Sequence, residues 1–262
     1  MILWLNGALL PAAEARIDPS DRGFSLGDGV FETICARQGT PRHLPRHLAR
    51  LQSGLALLGI PQPEVRFAEV MQAVLAANRL SDAVLRLTVS RGVAARGVLP
   101  QGSVSPTVVI AAGTLPAALP AARILIAKGT RRNEFSPLSR IKSLNYLDNI
   151  LARQEAAARG ADDALLLNTQ GFLAEATASN LFLWLGGALV TPPISDGALP
   201  GIARGLLIEG GGAVERRLHP ADLAQAEGGF LSNSLGLRTV VAIEGRPLPS
   251  LPERLAALKA LL

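Results

Sequence analysis

Several residue types are scarce in this 262-residue chain. It has one cysteine (Cys35), one tyrosine, three lysines and an aromatic content of only 4%. A single cysteine excludes an intrachain disulfide framework and suits a reducing, cytoplasmic setting. The net charge is +5 and the pI about 10.3. With few aromatics to stack on bases, and arginines scattered in runs no longer than two, that charge does not read as a nucleic-acid surface. It suits an anionic small substrate or cofactor instead. No apolar run approaches the roughly 20 residues that cross a bilayer. The apolar start, "MILWLNGALLPAAEAR", has no basic leader, and Asn6-Gly7 reads as a hairpin turn, not as part of a signal peptide. His43 and His47 are separated by Pro45 with no third ligand evident, so no metal site is expected.

What is present suffices for a sizeable core. Hydrophobic residues make up 48% of the chain and charged residues 18%, which argues against disorder. In the first half, Leu48, Leu51, Leu55 and Leu58 share one helical face, as do Phe67, Val70, Met71, Val74 and Leu75. "AVLRLTVSRG" and "SPTVVIAAG" read as strands. The proline-punctuated "TLPAALPAA" marks a linker at 114–120, between a domain of residues 1–113 and one of residues 121–262. The second half opens with the strand "RILIAKG". "LNYLDNILARQEAAARG" predicts a helix with Leu147, Ile150, Leu151 and Gln154 on one face and Gly160 as its stop. Strands around tight turns follow, then a helix in "LPGIARGLLIEGG" and a last strand and loop in "FLSNSLGLRTVVAI". The expected class is α+β, in two domains with a cleft between them.

Against 23 arginines, the lysines stand only at 128, 142 and 259. An arginine stays charged, whereas a partly buried lysine amine can lose its proton and form an imine with a carbonyl. Lys142, just before a helix, is the candidate; the bland alternative is a solvated lysine. Glu175 is a carboxylate inside the apolar and small-residue stretch "FLAEATASN", where burial without a partner is costly. A protonated pyridine nitrogen would be such a partner; an exposed strand edge is the alternative. Gly201-Ile202-Ala203 opens a predicted helix whose first N–H groups can hold a phosphate. "SNS" at 232–234 offers small donors, and Arg50 a charge for the same phosphate, although the one could be a plain turn and the other a surface charge.

Four blocks carry a resemblance: "DRGFSLGDGVFETI" at 21–34, "KSLNYLDN" at 142–149, "EATASNLF" at 175–182 and "LPGIAR" at 199–204. In order and spread they resemble the signature blocks of the class IV aminotransferase family. These are the fold-type IV pyridoxal-phosphate enzymes, which include branched-chain aminotransferases, D-amino-acid aminotransferases and aminodeoxychorismate lyases. The resemblance implies a smaller N-terminal α/β domain and a larger C-terminal mixed domain, a homodimer, and pyridoxal 5'-phosphate in the cleft between the domains. It implies that Lys142 forms the imine with the cofactor and that Glu175 pairs with the pyridine nitrogen. Arg50, the amides of Ile202 and Ala203, and Ser234 would hold the phosphate. Tyr146 would reach the phenolic oxygen.

Within the family, "VSRGVAARG" at 89–97 and "SNSLGLRTVVAIEG" at 232–245 resemble aminodeoxychorismate lyases most. The implied reaction converts 4-amino-4-deoxychorismate to 4-aminobenzoate and pyruvate, a step of folate biosynthesis. Arg91, Arg96 and Arg238 are the implied counter-charges for its carboxylates. Phe31 stands where many transaminases have a tyrosine. Val98 stands where the lyase pattern often has a tyrosine and the D-amino-acid enzymes a histidine. The alternative is an aminotransferase acting on D-amino or branched-chain amino acids. A basic non-catalytic binding protein is opposed by the presence of both Lys142 and Glu175.

Overall fold

The computed structural model describes residues 1–101 and 105–262. The chain divides into two compact units, one of Met1–Ala117 with Ile141–Asn145, the other of Ala118–Arg140 with Tyr146–Leu262. Thus residues 141–145, which carry Lys142, lie with the first unit, although the sequence reading put them in the second half.

In the first unit, β1 (Ile2–Leu5) and β2 (Ala8–Pro11) are joined by Asn6 and Gly7, at φ 45° and 105°. This is the hairpin expected from Asn-Gly, the pair that tolerates two positive φ values. Next come α1 (Arg22–Leu26), β3 (Gly29–Arg37), β4 (Thr40–Pro41), α2 (Leu44–Leu58) and α3 (Phe67–Ala77). β5 (Ala83–Ser90) and β6 (Thr107–Thr114) complete the unit. Among the described residues the strands form one sheet in the order β2-β1-β6-β5-β3-β4, with each neighbouring pair antiparallel. Alternation turns Val30, Ile34 and Ala36 of β3 and Leu85, Leu87 and Val89 of β5 to one face. They pack with Leu51 and Leu55 of α2 and with Phe67, Met71, Val74 and Leu75 of α3. The helical faces expected from residue spacing are therefore the buried ones, each such side chain contributing about 1.5–3 kcal/mol.

In the second unit, β7 (Ala122–Ile126) precedes α4 (Leu147–Ala158), β8 (Asp163–Leu167) and β9 (Leu173–Ala176). β10 (Asn180–Leu185), β11 (Ala188–Thr191), α5 (Ile202–Glu209) and β12 (Val214–Glu215) follow. β13 (Gly228–Asn233), β14 (Gly236–Ile243), β15 (Arg246–Pro247) and α6 (Pro252–Lys259) end the chain. The sheet order among the described residues is β12-β11-β10-β13-β14-β7-β8-β9, with β15 on β14. Its pairs are mixed: β7 runs parallel to both β8 and β14, while β13 runs antiparallel to both β10 and β14. The class is α+β. Among the described residues no helix is long and apolar enough to cross a membrane.

Two elements differ from expectation. The apolar stripe of α4 is not its buried face: Leu147, Ile150 and Leu151 are 72%, 47% and 53% exposed. The helix instead packs Ala152 and Ala156 against Ala127, Ala164 and Leu166, because alanines let the helix approach closely. Asn149 secures that face by donating Nδ2–H to the Thr177 carbonyl at 2.7 Å. Gly160, at φ 71°, ends α4 as expected, with Ala161 N–H donating back to the Ala156 carbonyl. The second difference is that "FLSNSLGLRTVVAI" forms a hairpin of β13 and β14, not one strand and a loop. Its turn at Ser234-Leu235 has no Asn-Gly or proline to announce it.

Candidate active site

In the first unit, residues 141–144 run antiparallel beside the start of β3. Ser143 bridges Val30, Phe31 N–H donates to the Lys142 carbonyl at 2.9 Å, and Leu144 N–H to the Gly29 carbonyl at 2.9 Å. Ile141 anchors the segment in the core. Lys142 is left half-buried, its Nζ 4.3 Å from the centroid of the Phe31 ring. The guanidinium carbon of Arg86 lies 3.3 Å from the same centroid. The guanidinium and the lysine amine thus share one aromatic ring. Arg86 was not singled out from the sequence. In "VLRLTV" it reads as a solvent-facing strand residue, and only the β3–β5 register, Phe31 opposite Thr88 and Thr33 opposite Arg86, brings it to Phe31.

On the other face of β3, Glu32 points at α2. His47 and Arg50, three apart on that helix, converge on it. His47 Nδ1 is 2.6 Å from Oε2; Arg50 donates Nε–H to Oε1 at 2.8 Å and Nη2–H to Oε2 at 2.6 Å. Arg50 is thus not on a polar surface but forked onto a buried carboxylate. Burial alone would raise the Glu32 carboxyl, but the hydrogen bonds of His47 and Arg50 outweigh it and hold the group below its ordinary range.

Two arginines expected at the substrate have other partners. Arg91 is buried. It grips Asp28 through Nε and Nη2 at 2.7 and 3.2 Å, and it donates to the Leu58 and Gly59 carbonyls at the end of α2 at 2.5 and 2.8 Å. These bonds brace the fold. In the second unit, Arg238 donates Nε–H to the Pro120 carbonyl at 2.7 Å and stands 3.9 Å from Asp162, which gives it a similar bracing role. Arg96 is exposed. The carbonyls of the next two residues, Gly97 and Val98, accept from the buried Arg22 at 2.7 and 2.8 Å.

In the second unit Glu175 lies buried in β9. Its Oε2 accepts from Leu199 N–H at 2.9 Å and Asn180 Nδ2 at 3.3 Å; its Oε1 is 3.2 Å from Arg132 Nη2. A buried carboxylate needs such partners to remain charged. Arg132, absent from the sequence reading, is aimed by the Ser139 and Gly197 carbonyls, which accept from it. Nearby in the chain, α5 begins at Ile202 and Ala203 without a side-chain cap. A Cβ on Gly201 would stand 2.1 Å from Asn180 Oδ1, so only glycine fits there. Ser232, cross-strand from Asn180, has a buried hydroxyl with no partner. It is Ser232, in β13, that carries the orphan donor, while Ser234 is half-buried in the following turn. An uncapped helix start and an orphan hydroxyl fit an anion better than an apolar ligand. Tyr146 sits half-buried at the N-cap position of α4.

The model of the amino-transferase class IV family matches residues 29–243. The chain belongs to this family. A protein of Methanocaldococcus jannaschii, provisionally named a branched-chain-amino-acid aminotransferase, is 35% identical over 94% of this chain and 89% of its own length. The 4-amino-4-deoxychorismate lyase of Pseudomonas aeruginosa superposes with a TM-score of 0.84 at 35% identity, over 97% of either chain. A hypothetical aminotransferase from Mycobacterium tuberculosis, solved in a PLP-bound form, matches with a TM-score of 0.86 at 26% identity, over 100% of this chain and 97% of its own. Family membership thus joins transaminase and lyase relatives at equal identity.

Proposed function

We propose that this class IV enzyme binds pyridoxal 5'-phosphate and acts as an aminodeoxychorismate lyase, releasing 4-aminobenzoate and pyruvate from 4-amino-4-deoxychorismate. The observation that carries the lyase reading is the Arg86 guanidinium on the Phe31 ring that Lys142 also approaches. The substrate is a dicarboxylate, and a guanidinium on the same ring as the reacting amine suits its second carboxylate. A branched-chain substrate would ask for an apolar wall there. Phe31 also removes the hydroxyl that a tyrosine would offer.

When bound, the cofactor supplies an electron sink conjugated to the substrate's amine-bearing carbon. Lys142 Nζ would be the residue that holds the cofactor covalently, and its amine would serve as the base for the proton on that carbon. Loss of the ether oxygen on the neighbouring ring carbon then completes the aromatic ring, and the departing enol takes up a proton to become pyruvate. Glu175, held by Arg132, Asn180 and the Leu199 amide, would be the carboxylate that faces the pyridine nitrogen. The residues that would address the phosphate are Arg50, the amides of Ile202 and Ala203, and a Ser232 or Ser234 hydroxyl. Tyr146 would address the phenolic oxygen, and Arg96 the substrate. The exposed leucine–isoleucine stripe of α4 supports assembly as a homodimer, and the lone buried Cys35 suits the cytoplasm.

The test supplies aminodeoxychorismate with no keto acid. Lyase turnover needs no amino acceptor, so 4-aminobenzoate accumulates over many turnovers. A chain that releases none, yet moves amino groups from D-alanine, D-glutamate or L-leucine to added keto acids, is a transaminase instead.

A further inference from the structure

Glu32 has no role in the reading above, yet it is the most completely buried acid at the Arg50 end of the first unit. Its face of β3 is otherwise lined by Val30, Ile34 and Ala36. A carboxylate is unfavourable there unless fully partnered. The partners are specific. Arg50 presents Nε and Nη2 to the two carboxylate oxygens, the planar fork that arginine forms with a carboxylate. His47, one turn earlier on α2, closes on Oε2. The fork fixes the plane of the guanidinium, and with it the direction in which Nη1 projects. α2 alone could not do this, since a long arginine side chain has many rotamers.

We propose that Glu32, backed by His47, is a positioning residue that orients the Arg50 guanidinium toward the phosphate of the cofactor. This rests on the reading of Arg50 as a phosphate ligand. Glu32 touches neither substrate nor cofactor; it acts through Arg50. Glu32→Gln keeps one acceptor oxygen but turns an amide N–H toward donors, so the two-point fork is lost. Glu32→Asp keeps the charge but is one methylene too short for the same fork.

The experiment measures the affinity of the cofactor-depleted enzyme for pyridoxal phosphate and for pyridoxal, by equilibrium dialysis. The ratio of the two isolates the phosphate contribution. With either Glu32 variant the preference for the phosphorylated form should fall about tenfold, the scale of one charge-assisted contact, with pyridoxal affinity unchanged. A merely structural role would weaken both ligands together and leave the ratio intact. A purely electrostatic role gives the opposite sign, because removing a carboxylate near an anion site tightens phosphate binding in Glu32→Gln. Either result overturns the proposal. If Glu32→Gln does not fold, Glu32→Asp decides by the same ratio. Arg50→Gln separates the two readings. If it leaves the ratio unchanged, Arg50 is not the phosphate ligand. If it lowers the ratio while the Glu32 variants do not, only the positioning role fails.

Discussion

At the scale of single residues, the three lysines differ in what surrounds them. Lys128 and Lys259 are exposed, whereas Lys142 is half-buried over an aromatic ring and shares it with Arg86. A lysine amine held on a ring inside the fold is placed to act as a nucleophile in a way that a solvated one is not. Lys142→Ala should therefore lower turnover by roughly three orders of magnitude or more, as removal of a covalent catalyst that is also the base does. Lys128→Ala and Lys259→Ala should be nearly silent. Borohydride treatment of the loaded enzyme should fix the cofactor on the peptide containing residue 142 and on no other. Near-normal turnover in Lys142→Ala would remove this residue from the chemistry.

At the scale of elements, the arginine of "VSRG" is where sequence similarity and geometry part. Arg91 ties the end of β5 to the last turn of α2 and to Asp28, which Arg22 also grips at 2.8 Å. Burial pushes the Asp28 carboxyl up, but the hydrogen bonds of Arg91 and Arg22 outweigh it and hold the group below its ordinary range. A carboxyl depressed in the fold adds stability that is present above its unfolded pKa, near 3.9, and is lost as pH falls from there through the folded value. Arg91→Met should cost about 2–4 kcal/mol at pH 7 and flatten the loss of stability below about pH 4, with KM unchanged. Urea melts at the two pH values check this. A raised KM with an unaltered melt would return Arg91 to the substrate.

At the scale of the whole molecule, the exposed stripe of α4 is the feature that one chain does not explain. Leu147, Ile150 and Leu151 stand exposed together on one helix face, and exposed apolar groups side by side mark contact surfaces. If a second copy covers it, light scattering of the wild-type enzyme gives twice the chain mass. Leu151→Glu should then raise the dimer dissociation constant at least about tenfold by burying an unpaired charge. A wild-type enzyme that stays monomeric at high concentration would overturn the dimer.

Local chemistry was legible in the chain itself. Asn6-Gly7 dictates a hairpin because few residues accept two positive φ values. The leucine and methionine spacings of α2 and α3 dictate which faces are buried, and an acid within "FLAEATASN" implies a partner. What only the tertiary structure decided are contacts between residues far apart in sequence. The β3–β5 register sets Arg86 on Phe31, the packing of α2 on β3 forks Arg50 onto Glu32, and a loop return brings Arg132 to Glu175. Arg91 and Arg96 look alike in sequence, yet one is buried on carbonyls and the other exposed. The same limit applies to α4: its periodicity announced a helix with an apolar face, but whether alanines or leucines meet β8 depends on how closely two backbones can approach.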